Sequence, residues 1–185
     1  MYHLLWMGRV LLLSSFLALS ILSVANAQPG DITLAAGILA PYDADTGKSA
    51  VGWNLSYAVG ITNRLELGAM FTRSGNYKAV NPLTSGEVEV STLIIQARWF
   101  MGPMGATQAF IDLGGGMMDL DPKGGVSGEN RAGAAARVGV GIDRTLGPVD
   151  LRLGLGYTRG IGRTSEIDML EAFAAIVFGA KNASR

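Results

Sequence analysis

Seven charged residues carry most of the chemistry open to this chain: Arg64, Glu66, Arg98, Asp112, Arg137, Arg152 and Glu171. Each occupies an alternate position in its stretch. The residues two away from it are mostly small or polar, and those between are mostly apolar. Four cations and three anions spread over separate stretches can neutralise one another only if the fold gathers those stretches. Enclosed together they would have to pair, because an unpaired buried charge is expensive. Arginine and carboxylate alone make ion pairs. Hydrolytic chemistry near neutral pH needs a group such as His to take a proton from serine or water. The single His, His3, lies in a leader segment described below. The chain is therefore expected not to be an enzyme.

Other candidates are weaker. Asp43-Ala-Asp45-Thr-Gly47 begins like a calcium loop but lacks the rest of the twelve-residue pattern and its closing Glu. It reads as a solvated loop, and no metal or cofactor is expected. Gly114-Gly115-Gly116 and Gly154-Leu155-Gly156 neither open a helix nor complete a phosphate-binding glycine pattern. They are expected to thin a wall beside bulky Arg and Phe side chains. The chain has no Cys, hence no disulfide and no thiolate metal site. Its formal net charge of zero argues against nucleic acid as a partner, since phosphate binding needs a Lys/Arg surplus.

The elements that must position the seven charges come after a targeting segment. Arg9 is the only charged residue before Asp31. Val10 to Val24 is an apolar run interrupted by four serines, and Ala25-Asn26-Ala27 follows with small residues where a signal peptidase reads. The run is shorter than the roughly 20 apolar residues of a membrane anchor. Residues 1–27 therefore read as a signal peptide and 28–185 as one mature domain. Cleavage removes His3 and Arg9 and leaves one more acidic than basic residue.

No later stretch is apolar enough for a transmembrane helix, and the pattern has period two. In 51–62, Val51, Trp53, Leu55, Tyr57, Val59 and Ile61 share one face, and Gly52, Asn54, Ser56, Ala58, Gly60 and Thr62 the other. The same alternation marks 31–40, 64–73, 87–100, 107–118, 132–143, 149–158 and 168–178. It is blurred in 87–100, where Val88 and Val90 fall on the small, charged face. A bulge near Ser91 or an exposed upper end would account for that. Eight segments of this length can cross a bilayer at a tilt of about 45°. The intervening segments alternate: 41–49, 74–86, 119–131 and 159–167 are long and polar, whereas the turns at 62–63, 102–106 and 145–148 are short. The expectation is all-β, an eight-stranded antiparallel up-and-down transmembrane β-barrel, apolar outside and charged within, with long external loops. A soluble barrel would reverse the faces. Trp53, Tyr57, Phe71, Tyr77, Trp99, Phe100, Tyr157 and Phe178 are expected to form two aromatic girdles.

With these strands the chain resembles the small outer-membrane β-barrel superfamily of Gram-negative bacteria, of the outer membrane protein X, Ail, opacity protein and outer membrane protein A barrel type. The resemblance covers 28–185. It rests on strand number, loop alternation and a last strand, Glu171 to Phe178, that ends in an aromatic; Gly179 to Arg185 follow it. It implies location in the outer membrane, contact with lipid and lipopolysaccharide, and recognition of the Glu171–Phe178 strand by the barrel-assembly machinery. A monomer is expected. Enzymatic barrels of similar architecture use a His, which the mature chain lacks. The expected role is structural and surface-interacting, through four external loops, with the inward charges as an ion-pair plug. The alternative is a small gated porin-like channel in which those pairs exchange.

Overall fold

The computed structural model describes residues 32–43, 48–62, 64–78, 87–101, 106–123, 130–165 and 167–179. The expected signal segment and Asp45 to Gly47 lie outside them. The described strands are β1 (Ile32–Asp43), β2 (Lys48–Ser49), β3 (Gly52–Thr62), β4 (Leu65–Lys78), β5 (Glu87–Met101), β6 (Thr107–Lys123), β7 (Arg131–Leu146), β8 (Val149–Ile161) and β9 (Asp168–Gly179). β2 is a two-residue fold-back on the end of β1. The other eight pair antiparallel in chain order, and β9 pairs with β1 from Thr33↔Gly179 to Asp43↔Met169. The sheet therefore closes as an eight-stranded up-and-down barrel with no free edge in its wall.

Closure requires tilt. One ladder runs from Gly60 through Glu66, Arg98, Asp112, Gly139, Gly156 and Glu171 to Pro41. The Ala50 N–H then donates to the Pro41 carbonyl at 3.0 Å. The ladder thus returns to its starting strand line at Ala50, ten residues before Gly60, having climbed the wall toward the long loops. The short connections lie at the other end. Leu146 faces Val149 across a two-residue turn, with Gly147 at φ 71° followed by Pro148. A positive φ and then the fixed negative φ of proline is the type II′ combination, whose twist suits a tight hairpin.

Alternation decides the faces. Ile38, Leu55, Leu113, Val140, Leu155 and Ile176 are exposed on the outer wall, while Arg98, Asp112, Arg137, Arg152 and Glu171 are buried in the lumen. Such a wall suits hydrocarbon and not water. Trp53, Phe71 and Tyr157 stand toward the long-loop end of this band and Trp99 and Phe178 toward the short-turn end. The rings of Trp53 and Phe71 are 5.3 Å apart. Phe100 departs from the expected girdle: it is buried in the lumen, edge-on to Phe110 at 6.2 Å.

Several strands outrun their expected ends. β4 continues to Lys78, β6 to Lys123 and β8 to Ile161, so parts of the expected external loops are barrel wall. In this upper part the faces invert. On β5, Val88 and Val90 point inward and Glu89 and Ser91 outward; on β6, Met118 and Leu120 point inward and Asp119 and Asp121 outward. Val90, Ile94, Met118, Leu120, Ala135 and Met169 form one buried apolar cluster, with Ala50, Val88 and Ile167 against it. The blurred pattern of 87–100 thus comes from an upper end beyond the apolar band. The pairing of β5 with β6 is unbroken through Ser91, and the irregularity lies across on β4, between Ser74 and Tyr77.

Candidate functional site: the charged lumen

The climbing ladder sets the site. Glu66, Arg98 and Asp112 are consecutive partners on β4, β5 and β6. The next two positions on that ladder are Gly139 and Gly156, and then Glu171. Arg98 stands between two carboxylates, its Nη1 3.4 Å from Glu66 Oε2 and its Nη2 3.4 Å from Asp112 Oδ2. Arg137 donates from Nη1 to Glu171 Oε2 and, at 3.0 Å, to Thr158 Oγ1. Thr158 in turn donates to Glu171 Oε1 at 3.1 Å. Arg137 Nε lies 3.9 Å from Asp112 Oδ1, which joins the upper pair to the lower group. Nearer the short turns, Arg152 grips Asp143 with two bonds, Nε to Oδ1 at 2.7 Å and Nη2 to Oδ2 at 2.6 Å. This is the fork geometry that a guanidinium makes with a carboxylate. Arg152 Nη2 is also 3.7 Å from Glu66 Oε2, so the groups form one connected network.

The glycines of the wall are the space these groups occupy. A Cβ at Gly156 would meet the Arg137 guanidinium, and one at Gly139 would meet the Asp112 carboxylate. A Cβ at Gly141 would come within 2.5 Å of Phe110 Cζ, and one at Gly154 within 2.5 Å of Phe173 Cζ. The rings also face charge: Arg98 Cζ is 4.7 Å and Arg152 Cζ 5.5 Å from the Phe110 centroid, and Arg137 Cζ is 5.6 Å from that of Phe173. Apolar faces thereby cover the sides of the guanidinium planes that hydrogen bonds do not reach.

Of the seven residues singled out in the sequence, the barrel brings six together: Glu66, Arg98, Asp112, Arg137, Arg152 and Glu171. Arg64 is not among them. It is exposed in the turn before β4, where its carbonyl accepts the Phe100 N–H at 2.8 Å. Its parity points inward, but it lies at the mouth, where water solvates a charge more cheaply than a partner could. Asp143 belongs to the network and was missed, although it has the parity of Arg137. Its place beside the Thr145–Pro148 turn hid it; its alternation with Arg152 across the β7–β8 hairpin was the available signal. The room for Arg137 also comes from a different residue than its own strand indicates. Gly156 on β8 supplies it, while Gly139 accommodates Asp112 and Gly141 the Phe110 ring.

Beside the network, the inner face of β3 and of the higher parts of β4 and β5 carries neutral polar groups. Asn54, Ser56 and Thr72 are buried there, and Thr72 and Thr92 hydroxyls are 2.6 Å apart. Gln96, also buried, has neither amide atom bonded to protein. Among the described residues no group of His, Cys, Asp and Glu has the arrangement of a metal site. The charged groups of this interior neutralise one another and, with the rings of Phe110 and Phe173, fill the space inside the wall.

No protein-family model matches the chain, and no curated protein matches it in sequence. Solved structures do share its fold. Neisserial surface protein A superposes with a TM-score of 0.63 at 18% identity, covering 82% of this chain and 97% of that one. The N-terminal β-barrel domain of Pseudomonas aeruginosa OprF gives 0.59 at 14% identity, over 81% of this chain and 97% of the other. Ail, the attachment invasion locus protein of Yersinia pestis, solved with the heparin analogue sucrose octasulfate, gives 0.56 at 13% identity, over 82% and 99%. The fold is that of the small eight-stranded outer-membrane barrels.

Proposed function

We propose that this barrel resides in the outer membrane of a Gram-negative bacterium, exported with cleavage after Ala27, and acts there as a non-catalytic structural and surface-interaction protein. The long-loop end faces outward and carries the interactions. Lipid and lipopolysaccharide surround the apolar wall, and the Glu171–Phe178 strand is the segment presented to the assembly machinery. The observation that carries this reading is the filled lumen. Arg98, Arg137 and Arg152 are each almost wholly enclosed, and carboxylates and the rings of Phe110 and Phe173 occupy the space around them. An eight-stranded barrel is just wide enough for its side chains to fill it. A solute path would require those pairs to part, and separating buried partners is costly.

Planar-bilayer recording of refolded protein tests this. The expected result is silence over long recordings. Steady openings whose size changes when Arg98 or Arg137 is neutralised would instead establish the narrow gated channel.

A further inference from the structure

We propose that the lumen is sealed at its external end by an apolar septum, distinct from the ion-pair network, in a part of the barrel that stands beyond the membrane and packs like the core of a water-soluble protein. The proposal deepens the filled-barrel reading and rests on it. Three observations carry it. First, the polarity of the wall inverts at one level on several strands. The outer face passes from Leu93 to Ser91 and Glu89 on β5, from Met117 to Asp119 and Asp121 on β6, from Phe71 to Arg73 on β4 and from Tyr157 to Arg159 on β8. Arg73 is there paired with Glu89, and Arg159 Nε lies 3.6 Å from Asp168 Oδ1. A wall that leaves hydrocarbon for water must turn polar outside, and its inner face can then bury apolar surface as soluble barrels do.

Second, inward apolar residues around that level come together from four strands, β5, β6, β7 and β9. Val90 and Ile94 on β5, Met118 and Leu120 on β6, Ala135 on β7 and Met169 on β9 are in one cluster, with Ala50 reaching in from the approach to β3. Ile94, Met118, Leu120, Val90 and Met169 are exposed by 2% or less, so the cluster is closed to water. Third, a one-turn 3-10 helix, Gly162–Thr164, folds in beside it. Thr164 is fully buried, and its hydroxyl lies 3.3 Å from the carbonyls of Ala134 and Ile161. Gly133 and Gly160 leave it the room. An apolar constriction excludes ions by dewetting, whatever the state of the charges below it.

The chain has no Cys, so single cysteines report access cleanly. Thr92 is buried on the lumen face of β5, one inward position below Val90; Arg163 is exposed on the 3-10 helix. Refolded Thr92→Cys and Arg163→Cys would be reacted with a cationic methanethiosulfonate. Thr92→Cys should react at least about a hundredfold more slowly, because a closed site reacts only through opening. Adding Met118→Gly should raise its rate at least about tenfold, whereas adding Arg152→Ala should leave it protected. Comparable rates for the two cysteines in the intact barrel would overturn the septum. So would protection lost with Arg152→Ala and kept with Met118→Gly, which moves the seal to the ion pairs and leaves the filled-barrel reading standing. Bilayer conductance of the unaltered protein tests that reading separately. Gel mobility checks folding, and Met169→Ala replaces Met118→Gly if the latter does not fold.

Discussion

A guanidinium taken out of water must recover its hydration from fixed partners, and Arg137 recovers it from Glu171, Thr158 and the face of Phe173. Removing it strands Glu171 beside an emptied space. Breaking a buried pair this way costs about 3–5 kcal/mol. Arg163 is exposed, and a solvated surface change stays within about 0.5 kcal/mol. Arg137→Ala should therefore lower the urea midpoint of refolded protein strongly, and Arg163→Ala should barely move it. Trp fluorescence in lipid vesicles reads both; equal effects would show the lumen to be wet and its pairs solvated. Parity in the sequence placed six of these groups inside because alternation is a backbone property that any barrel must obey. It could not say which Arg meets which carboxylate, since partners are set by stagger around the wall. Stagger also explains why the space for Arg137 comes from Gly156, a strand away, and why Arg64, with the right parity, sits at a mouth where nothing needs to neutralise it.

On β4, β5, β6 and β8 the outer face changes from apolar to polar along the strand, and the sequence pattern records the change. Below Ser91, β5 is apolar outward through Leu93, Ile95 and Trp99; above it, the strand is apolar inward through Val88 and Val90. A reading that assumes one environment for the whole segment sees noise there. The two environments explain the order, and they also explain why 119–123, which looked like loop, is strand: Met118 and Leu120 alternate with Asp119 and Asp121 on the opposite phase. A charge tests the boundary. Leu113 is 60% exposed on the outer wall of β6, well within the apolar band. Leu113→Lys should destabilise the folded barrel by about 2–4 kcal/mol, the depth-dependent cost of a cation at the lipid face. Ser91→Lys, on the outer wall beside Asp119, should change stability by less than about 0.5 kcal/mol. Unfolding in vesicles measures the pair. Similar large losses from both would place Ser91 inside hydrocarbon and raise the membrane border above the inversion.

Closure is the property of the molecule as a whole, and it depends on the first and last strands meeting. β9 pairs with β8 along one edge and with β1 along the other, so the chain's last strand completes the wall from both sides. Eight strands and their order were legible in the sequence because a wall with an apolar and a polar face enforces alternation, and the charges on the small face indicated which side is inward. The β1–β9 seam was legible only as a consequence of even strand number; its register depends on the same stagger that hid the charge partners. The seam separates two roles of Phe178. Opposite Leu34, it is 53% exposed on the outer wall. Its ring is exposed for more than half of its surface, and the backbone ladder that closes the barrel does not need it. Phe178→Ala should therefore cost only about 1 kcal/mol of stability once the barrel has formed. If the last strand is what the assembly machinery reads, the same substitution should sharply reduce the amount of folded barrel recovered from cell outer membranes. Heat-modifiable gel mobility applied to refolded protein and to membranes measures both effects. Undiminished recovery from membranes would remove Phe178 from the assembly signal, and a barrel that also fails to refold in vitro would make it a structural residue of the seam.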